Sequence, residues 1–282
     1  MSESNAQIDQ ATREMLADLK EIVDRLELPI LLIGARARVL IFDSQYSEGR
    51  KTTDWDLAIK MDDWSRYQSL ISEMTQIETA RFETTRVQHK FIHRSTRIEV
   101  DIVPFGTISD EQQEITWSDG NQMSVLGLQE AFLTAHVEKI DGIEIRVLSI
   151  PAIVGLKILA WHERQETKDL LDIAHILGNY TDEQRIEAAL SSEIEQGQLN
   201  YENASCALIG QDIKTIFQNA TLSKICEYLS QLIEQQNRYF PRLISKDLPN
   251  DVWDEEFDII VDQFNALRYG ISANKESPGR HD

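Results

Sequence analysis

Thr53-Asp54-Trp55-Asp56-Leu57-Ala58-Ile59 sets two carboxylates two positions apart within an otherwise apolar run. Because side chains alternate between the faces of a strand, Asp54 and Asp56 are expected on one face and the apolar residues on the other. Two like charges this close repel by about 4 kcal/mol at an effective dielectric constant of ~20. A hard divalent cation bridging both carboxylates would offset that repulsion. The alternative is a solvated edge strand whose outer face carries two Asp residues.

A second feature lies upstream, where the apolar run Pro29-Ile30-Leu31-Leu32-Ile33 ends at Gly34 and is followed by Ala35 and Arg36. This pattern predicts a buried strand, a glycine turn and a helix that begins directly after the turn. The first turn of a helix offers free N–H groups and the positive end of the helix dipole to a phosphate. Most glycines after strands simply end the strand, so this motif gains weight only beside the two carboxylates.

A third feature is Arg97-Ile98-Glu99-Val100-Asp101-Ile102-Val103-Pro104-Phe105, in which apolar and charged residues alternate. If this strand neighbours the one that carries Asp56, then Asp101 becomes a third carboxylate on the same face. Three carboxylates beside a phosphate-binding helix start are typical of two-metal phosphoryl transfer.

Taken together, Gly34-Ala35, Thr53-Asp54-Trp55-Asp56 and Asp101 resemble the nucleotidyltransferase fold of the polymerase-β type. Two later segments narrow the resemblance, because 149–164 and 168–173 are similar to the Lys…Arg…Asp-x-x-Asp element of AbiEii-type nucleotidyltransferases. Those proteins are toxins of bacterial abortive-infection and toxin–antitoxin systems. The resemblance implies an α+β (α/β) fold with a small mixed β-sheet core flanked by helices, followed by a largely helical C-terminal region. It also implies a nucleoside triphosphate (NTP) substrate, an RNA acceptor such as tRNA, and a cognate antitoxin protein as partner.

The resemblance assigns roles residue by residue. The catalytic set is Asp54, Asp56, Asp101 and Lys157, of which the three aspartates would hold two Mg²⁺ ions. The nucleotide-binding set is Gly34, Ala35, Arg36, Thr53 and Lys157, and the supporting set is Arg164, Asp169 and Asp172. Lys157 lies in an apolar helical stretch, so the alternative for it is a stem that covers the core edge with its ammonium in water. Asp169 and Asp172 could instead cap the helix that begins near Thr167.

Charge bounds the choice of partners. The 282-residue chain has a formal net charge of −20, and a protein of that charge does not bind nucleic acid non-specifically. Residues 81–98 are locally basic, however, and are predicted to form a hairpin of two strands, Val87–Ile92 and Ile98–Val103. We expect its cations to hold acceptor phosphates: Arg86, Lys90, Arg94 and Arg97. The alternative is a solvated strand edge that is kept basic against aggregation.

The remaining sequence predicts a cytoplasmic protein of two domains. The nucleotidyltransferase-like domain is expected over residues 1–178, a helical C-terminal domain over 179–271 and a disordered tail over 272–282. No apolar run approaches the length of a membrane span, and the N-terminus is not a signal peptide. Two cysteines, Cys206 and Cys226, are too few for a disulfide framework.

Three classes of function fit these features. The first is transfer of a nucleoside monophosphate to RNA or protein, which the basic hairpin favours. The second is transfer to a small molecule such as an antibiotic, which an acidic cleft would favour for a cationic drug. The third is a non-catalytic relative that binds nucleotides or partners, and the presence of all three carboxylates argues against it.

Overall fold

The apolar run after Asp54 forms an internal strand of a mixed sheet. In the computed structural model, which describes residues 8–46, 49–50, 52–76 and 78–273, contacts divide the chain into two units, Met1–Ile153 and Val154–Asp282. In the described residues of the first unit, the elements follow one another in the order α1 (Gln10–Arg25), β1 (Ile30–Leu32), α2 (Gly34–Arg38), a π-helical turn (Val39–Asp43), β2 (Trp55–Lys60), α3 (Trp64–Thr75), β3 (Phe82–Thr84), β4 (Lys90–His93), β5 (Glu99–Phe105), β6 (Glu114–Thr116), β7 (Gln122–Ser124), α4 (Leu128–Thr134), β8 (His136–Ile140) and β9 (Ile143–Val147).

Seven of these strands form one sheet in the order β3-β4-β5-β2-β1-β9-β8, while β6 and β7 pair as a separate hairpin. β2 lies between β1, to which it is antiparallel, and β5, to which it is parallel. β4 pairs antiparallel with β5, as the sequence predicts for the hairpin, although β4 is shorter than predicted and β5 begins one residue later and extends to Phe105. The predicted mixed sheet is therefore confirmed, and its order sets the strands that carry Asp56 and Asp101 side by side.

The alternation in β2 produces its burial. Trp55, Leu57 and Ile59 are each at most 1% exposed, whereas Asp56 is only half-buried. The helix before the sheet is amphipathic, with Met15 and Leu19 fully buried. Burying such side chains stabilises the fold by roughly 1.5–3 kcal/mol each. The apolar face of β2 thus fastens the strand in the core and leaves its acidic face outward.

The second unit contains only helices in its described part. They follow one another as α5 (Ile150–Arg164, which begins at the end of the first unit), α6 (Thr167–Asn179), α7 (Glu183–Glu195), a 3₁₀ turn (Tyr201–Asn203), α8 (Ala204–Ile216), α9 (Asn219–Glu234), α10 (Gln236–Tyr239), a second 3₁₀ turn (Phe240–Arg242) and α11 (Asn250–Ser272). None of the helices in the described ranges is both long enough and apolar enough to cross a bilayer.

Glycines bring α8 and α11 into close contact. A Cβ on Gly210 would lie 2.3 Å from the carbonyl oxygen of Leu267, and one on Gly270 would lie 1.9 Å from that of Ala207. Both distances are far inside van der Waals contact, so only glycine fits at either position. Gly210 therefore has a packing role.

One division of the chain differs from the prediction, and the predicted tail lies mostly outside the described residues. The sequence places a domain boundary at residue 178, but the two units divide at Ile153. The reason is that α6 packs against α11 and pairs its aspartates with Lys157 of α5, so both helices group with those that follow. The tail predicted from residue 272 lies mostly outside the described residues, and Ser272 itself is the last residue of α11.

Candidate active site

The three predicted carboxylates come together at the start of two neighbouring parallel strands. β2 and β5 pair in register, with Asp56 the Cα partner of Asp101. Asp54 directly precedes β2, is exposed and accepts a hydrogen bond from the Thr53 hydroxyl at 3.4 Å. Partners in a parallel pair project their side chains to the same face, so the condition that the sequence set for Asp101 is met.

Gly34 packs directly against Asp56. Its φ is +68°, a left-handed conformation that favours glycine, and a Cβ there would lie 2.1 Å from Asp56 Oδ2. The peptide before it is fixed as well, since the backbone N–H of Ile33 donates to the carbonyl oxygen of Asp56 at 3.0 Å. The glycine turn and the carboxylate strand therefore form one contiguous structure, as the order of the motifs suggests.

Asp101 has an unusual environment for a carboxylate. Its Oδ1 atom is buried and makes no hydrogen bond to any described residue, although Lys90 Nζ lies 3.4 Å away as an ion pair. Burial raises the pKa of the Asp101 carboxyl, while the charges of Lys90 and His89 act in the opposite direction and Asp54 acts in the same direction as burial. A buried oxygen that lacks a hydrogen bond is a strong acceptor for a cation.

The residues present fit a hard divalent cation. All the donors are carboxylate oxygens, which Mg²⁺ prefers. Asp56 and Asp101 are adjacent in register, and Asp101 contributes a buried oxygen without a hydrogen bond. Two carboxylates this close repel each other, and a bound cation would offset that repulsion.

The residues around the glycine turn have different environments. Ala35 is buried in α2, and Thr53 is exposed. Arg36 lies with its guanidinium carbon 4.9 Å from the centre of the Trp55 ring, a cation–π contact. Burial lowers the pKa of Arg36, against the charges of Asp9 and Asp54, and its Nε atom makes no hydrogen bond within the described part of the chain. Arg36 thus presents positive charge close to Asp54.

Arg38, two residues after Arg36, has a structural role. It is fully buried, and its Nη1 atom donates to both carboxylate oxygens of Asp43, at 2.5 and 2.7 Å. Its Nη2 atom donates to the carbonyl oxygen of Arg50, and Asp43 also accepts from the N–H of Gly49. This cluster ties Gly49 and Arg50 to α2 and the turn that follows it. The sequence does not predict this role of Asp43, because nothing in it indicates that Asp43 pairs with Arg38.

The second unit brings its own four predicted residues together. Lys157 Nζ lies 2.6 Å from Asp172 Oδ2 and 3.4 Å from Asp169 Oδ1. Arg164 donates to both oxygens of Asp169, at 2.7 and 2.5 Å. Lys157, Asp169 and Asp172 are at most 6% exposed. The ammonium is therefore not in open water, and a role at the triphosphate stays a prediction.

The capping alternative for the two aspartates does not hold. The N-cap of α6 is Glu166, and no side chain caps this helix end. Asp169 lies within the first turn, but its oxygens accept from Arg164 and Lys157. Asp169 therefore pairs with both Lys157 and Arg164, and Asp172 pairs with Lys157.

Most cations of the predicted basic hairpin are paired with carboxylates. Arg97 pairs with Glu83, Lys90 pairs with Glu99 and Asp101, and Arg81 pairs with Asp18 and Glu21. Arg86 and Arg94 are exposed and make no ion pair with another described residue, and Arg94 Nε donates to the Phe82 carbonyl oxygen. The local excess of positive charge is consequently smaller than the sequence suggests.

A cluster with ligand-like atoms lies elsewhere in the first unit. One oxygen or nitrogen atom each of Glu14, Asp18 and His93 lie within 4.8 Å of one another. These atoms already have partners, since His93 Nε2 lies 2.9 Å from Asp18 and Ser95 donates to Glu14. Arg81 also donates to Asp18 at 2.7 Å, and a metal ion would face that guanidinium. The cluster fastens α1 to the β4–β5 hairpin.

The chain is similar to one protein family and to several solved structures. A family model described as "Nucleotidyl transferase AbiEii toxin, Type IV TA system" matches residues 43–261. No curated protein matches the chain. An antigenic nucleotidyltransferase-like protein from Paracoccidioides brasiliensis is similar in structure, with a TM-score of 0.41, 20% identity and coverage of 67% of this chain and 89% of that one.

The antibiotic-resistance factor ANT(2'')-Ia is also similar in structure. Its solution structure has a TM-score of 0.35 and 11% identity over 68% of this chain and 95% of that one. Its crystal structure with adenylyl-2''-tobramycin has a TM-score of 0.37 and 18% identity over 58% and 85%. Likenesses this distant say nothing about the substrate of the present chain.

The family match begins after Gly34 and Arg36 and includes Asp54, Asp56, Asp101 and the four residues of the Lys157 network. It covers well over half of the chain. The chain therefore belongs to the AbiEii nucleotidyltransferase family and is a nucleotidyltransferase.

Proposed function

We propose that this protein transfers a nucleoside monophosphate from an NTP to an RNA acceptor, tRNA, and that it does so as the toxin of a toxin–antitoxin or phage-defence system. The observation that carries the chemistry is the register of β2 and β5, which sets Asp56 beside Asp101 with Gly34 packed against Asp56. The membership in the AbiEii family supports the toxin role and a cognate antitoxin as partner.

Each residue of the site has a proposed task. Asp54, Asp56 and Asp101 would hold two Mg²⁺ ions, which when bound stabilise negative charge on the attacking and leaving oxygens. Asp101, whose pKa is raised by burial, would accept the proton of the acceptor hydroxyl as its oxygen attacks the α-phosphorus and pyrophosphate leaves. Arg36, held on Trp55, would place positive charge beside the phosphates at the Gly34–Ala35 turn, and Thr53 would orient Asp54.

A small-molecule acceptor is the second candidate. The observation that favours it is the pairing of Lys90, Arg97 and Arg81 with carboxylates, which leaves fewer cations for a polyanion. Exposed ion pairs of this kind are worth only about 0–1 kcal/mol, so acceptor phosphates can replace the carboxylates. RNA therefore remains the first candidate.

The test is transfer of label from each of the four α-³²P-labelled NTPs to total tRNA, to other RNA, or to a panel of aminoglycosides, with Asp56→Ala as the matched inactive control. Label in tRNA that requires both Asp56 and Mg²⁺ supports the proposal. Label in the aminoglycosides alone would show that the acceptor is a small molecule, not RNA. Growth arrest on induced expression of the wild type, but not of Asp56→Ala, tests the toxin role.

A further inference from the structure

Lys90 lies directly opposite a predicted metal ligand. It is the first residue of β4, and its Cα partner in β5 is Asp101. Its ammonium is 3.4 Å from Asp101 Oδ1 and 3.0 Å from Glu99 Oε2, with the lysine side chain 27% exposed. Glu99 and Asp101 are two residues apart in β5 and so share one face of the sheet. The ammonium therefore lies between an exposed carboxylate and a half-buried one.

The contact on Asp101 is made to the oxygen that matters most for a cation. Oδ1 is the buried atom that makes no hydrogen bond to the described residues, and the ammonium of Lys90 forms an ion pair with it. An ammonium 3.4 Å from that oxygen and a divalent cation bound to it would repel each other strongly in a partly buried site. The two cations therefore compete for one atom.

We propose that Lys90 is a positioning residue: it serves as the counter-ion of Asp101 until a divalent metal binds, and it then gives up Oδ1 and stays on Glu99. This inference rests on the metal assignment of the proposed function. The ammonium of Lys90 lies closer to Glu99 than to Asp101, and the Glu99 side chain is 52% exposed. Glu99 can therefore hold the ammonium when Asp101 binds a metal ion. Lys90 therefore reduces the repulsion between the closely spaced aspartates when no metal is bound, and the hypothesis that it holds acceptor phosphates is revised accordingly.

Metal titration of the full-length protein, followed by thermal shift and calorimetry with Mg²⁺ or Mn²⁺, tests the competition. In EDTA, Lys90→Met should lower Tm, because the counter-ion of Asp101 is lost. With metal, the same variant should reach half-saturation at about tenfold lower concentration, which corresponds to about 1.4 kcal/mol. Lys20→Met is the matched control, because that lysine is 28% exposed and pairs with Asp24 on α1; its half-saturation should equal that of the wild type.

A double-variant cycle separates competition from a general field effect. Glu99→Gln removes the second anchor of Lys90, so the ammonium should bind Asp101 more tightly and the half-saturating metal concentration should rise severalfold. In the Lys90→Met background, Glu99→Gln should have a much smaller effect, whereas two independent charge effects would add. If the effects of the two substitutions on the half-saturating metal concentration are fully additive, Lys90 does not compete with the metal for Asp101.

Asp101→Asn distinguishes failure of this inference from failure of the proposed function. If the wild type binds no metal, or if Asp101→Asn binds it equally well, the metal assignment and the inference fall together. If metal binding requires Asp101 but Lys90→Met binds metal no more tightly than the wild type, only the inference falls. Lys90→Gln, which keeps a polar side chain, serves if the methionine variant does not fold, and the same outcomes apply to it.

Discussion

Asp56 of β2 and Asp101 of β5 are direct Cα partners in a parallel pair. Because partners project to the same face, the fold holds two carboxylates together where hydrophobic residues or a single charge would be more stable. Gly34 adds a second constraint, because any side chain at position 34 would overlap the carboxylate of Asp56. Such a local conflict between stability and arrangement is typical of a functional site.

Asp56→Ala and Asp101→Ala should each abolish nucleotide transfer while the fold is retained. Each substitution removes a carboxylate ligand and also relieves the repulsion within the pair, so Tm in EDTA should be unchanged or higher. Stabilisation by Mg²⁺ should be lost. Transfer assays and thermal denaturation with and without Mg²⁺ measure both effects. Transfer by Asp56→Ala at the wild-type rate would show that the site is assigned wrongly.

Gly34→Ala should lower stability by more than the cost of its backbone conformation and should also impair metal binding. The left-handed φ alone costs an alanine about 1–2 kcal/mol, and the new Cβ would in addition meet Asp56 Oδ2 at 2.1 Å. Gly120→Ala is the matched control, because that glycine has φ +87° with nothing within 4 Å of the added Cβ. Denaturant unfolding and metal titration of both variants test the prediction. Equal losses of stability, with metal binding intact in both, would contradict it.

The carboxylate site could be predicted because its determinants are local. A period of two in residues 53–59 and 97–105 gives the faces of both strands, and Gly34 follows a short apolar run. The pairing of β2 with β5 could not be predicted, since strand order depends on contacts between distant segments. The register that sets Asp56 opposite Asp101 is likewise known only from the structure.

The partners of the cations could not be predicted, because each lies far away in sequence. Arg81, for example, pairs with Asp18 and Glu21, which both lie on the first helix and outside residues 81–98. A count of charges within residues 81–98 therefore overstates the basic patch. For the same reason the burial of Lys157 was undecided, since it depends on aspartates supplied by the next helix.

Lys157→Met should lower the free energy of unfolding by about 3–5 kcal/mol, because it leaves two buried aspartates without their shared ammonium. Lys168→Met is the control, since that lysine is 46% exposed and pairs with the exposed Glu166; it should change stability by less than about 1 kcal/mol. Chemical denaturation measures both. A Lys157→Met protein as stable as the wild type but inactive would instead place its ammonium on the substrate.

Cys206 should resist modification in the native protein, whereas Cys226 should react. Burial raises the pKa of the Cys206 thiol to about 12, so almost no thiolate forms at pH 8. Cys226 is half-buried, and burial raises its pKa as well, so its labelling should speed up as pH rises from ~7 to ~9. Mass spectrometry after iodoacetamide treatment resolves the two sites. In denaturant both should react alike, and rapid native labelling of Cys206 would refute its burial.

The exposed arginines of the hairpin provide the test of the acceptor. A chain of net charge −20 repels polyanions, but that field is screened beyond ~8 Å at physiological salt, so local cations decide binding. Arg86 and Arg94 make no ion pair with another described residue, and each should contact an acceptor phosphate. Replacing both by Ser should weaken tRNA binding and reduce its salt dependence by roughly one unit of slope per lost contact. NTP binding should be unchanged.

Arg25→Ser is the matched control for these arginines, since Arg25 is 51% exposed and pairs with Glu73. It should leave both the affinity for tRNA and the salt slope as they are. Filter binding at several salt concentrations gives the slopes. A double variant whose slope equals that of the wild type would show that these two arginines contact no phosphate, and it would favour the small-molecule acceptor over RNA.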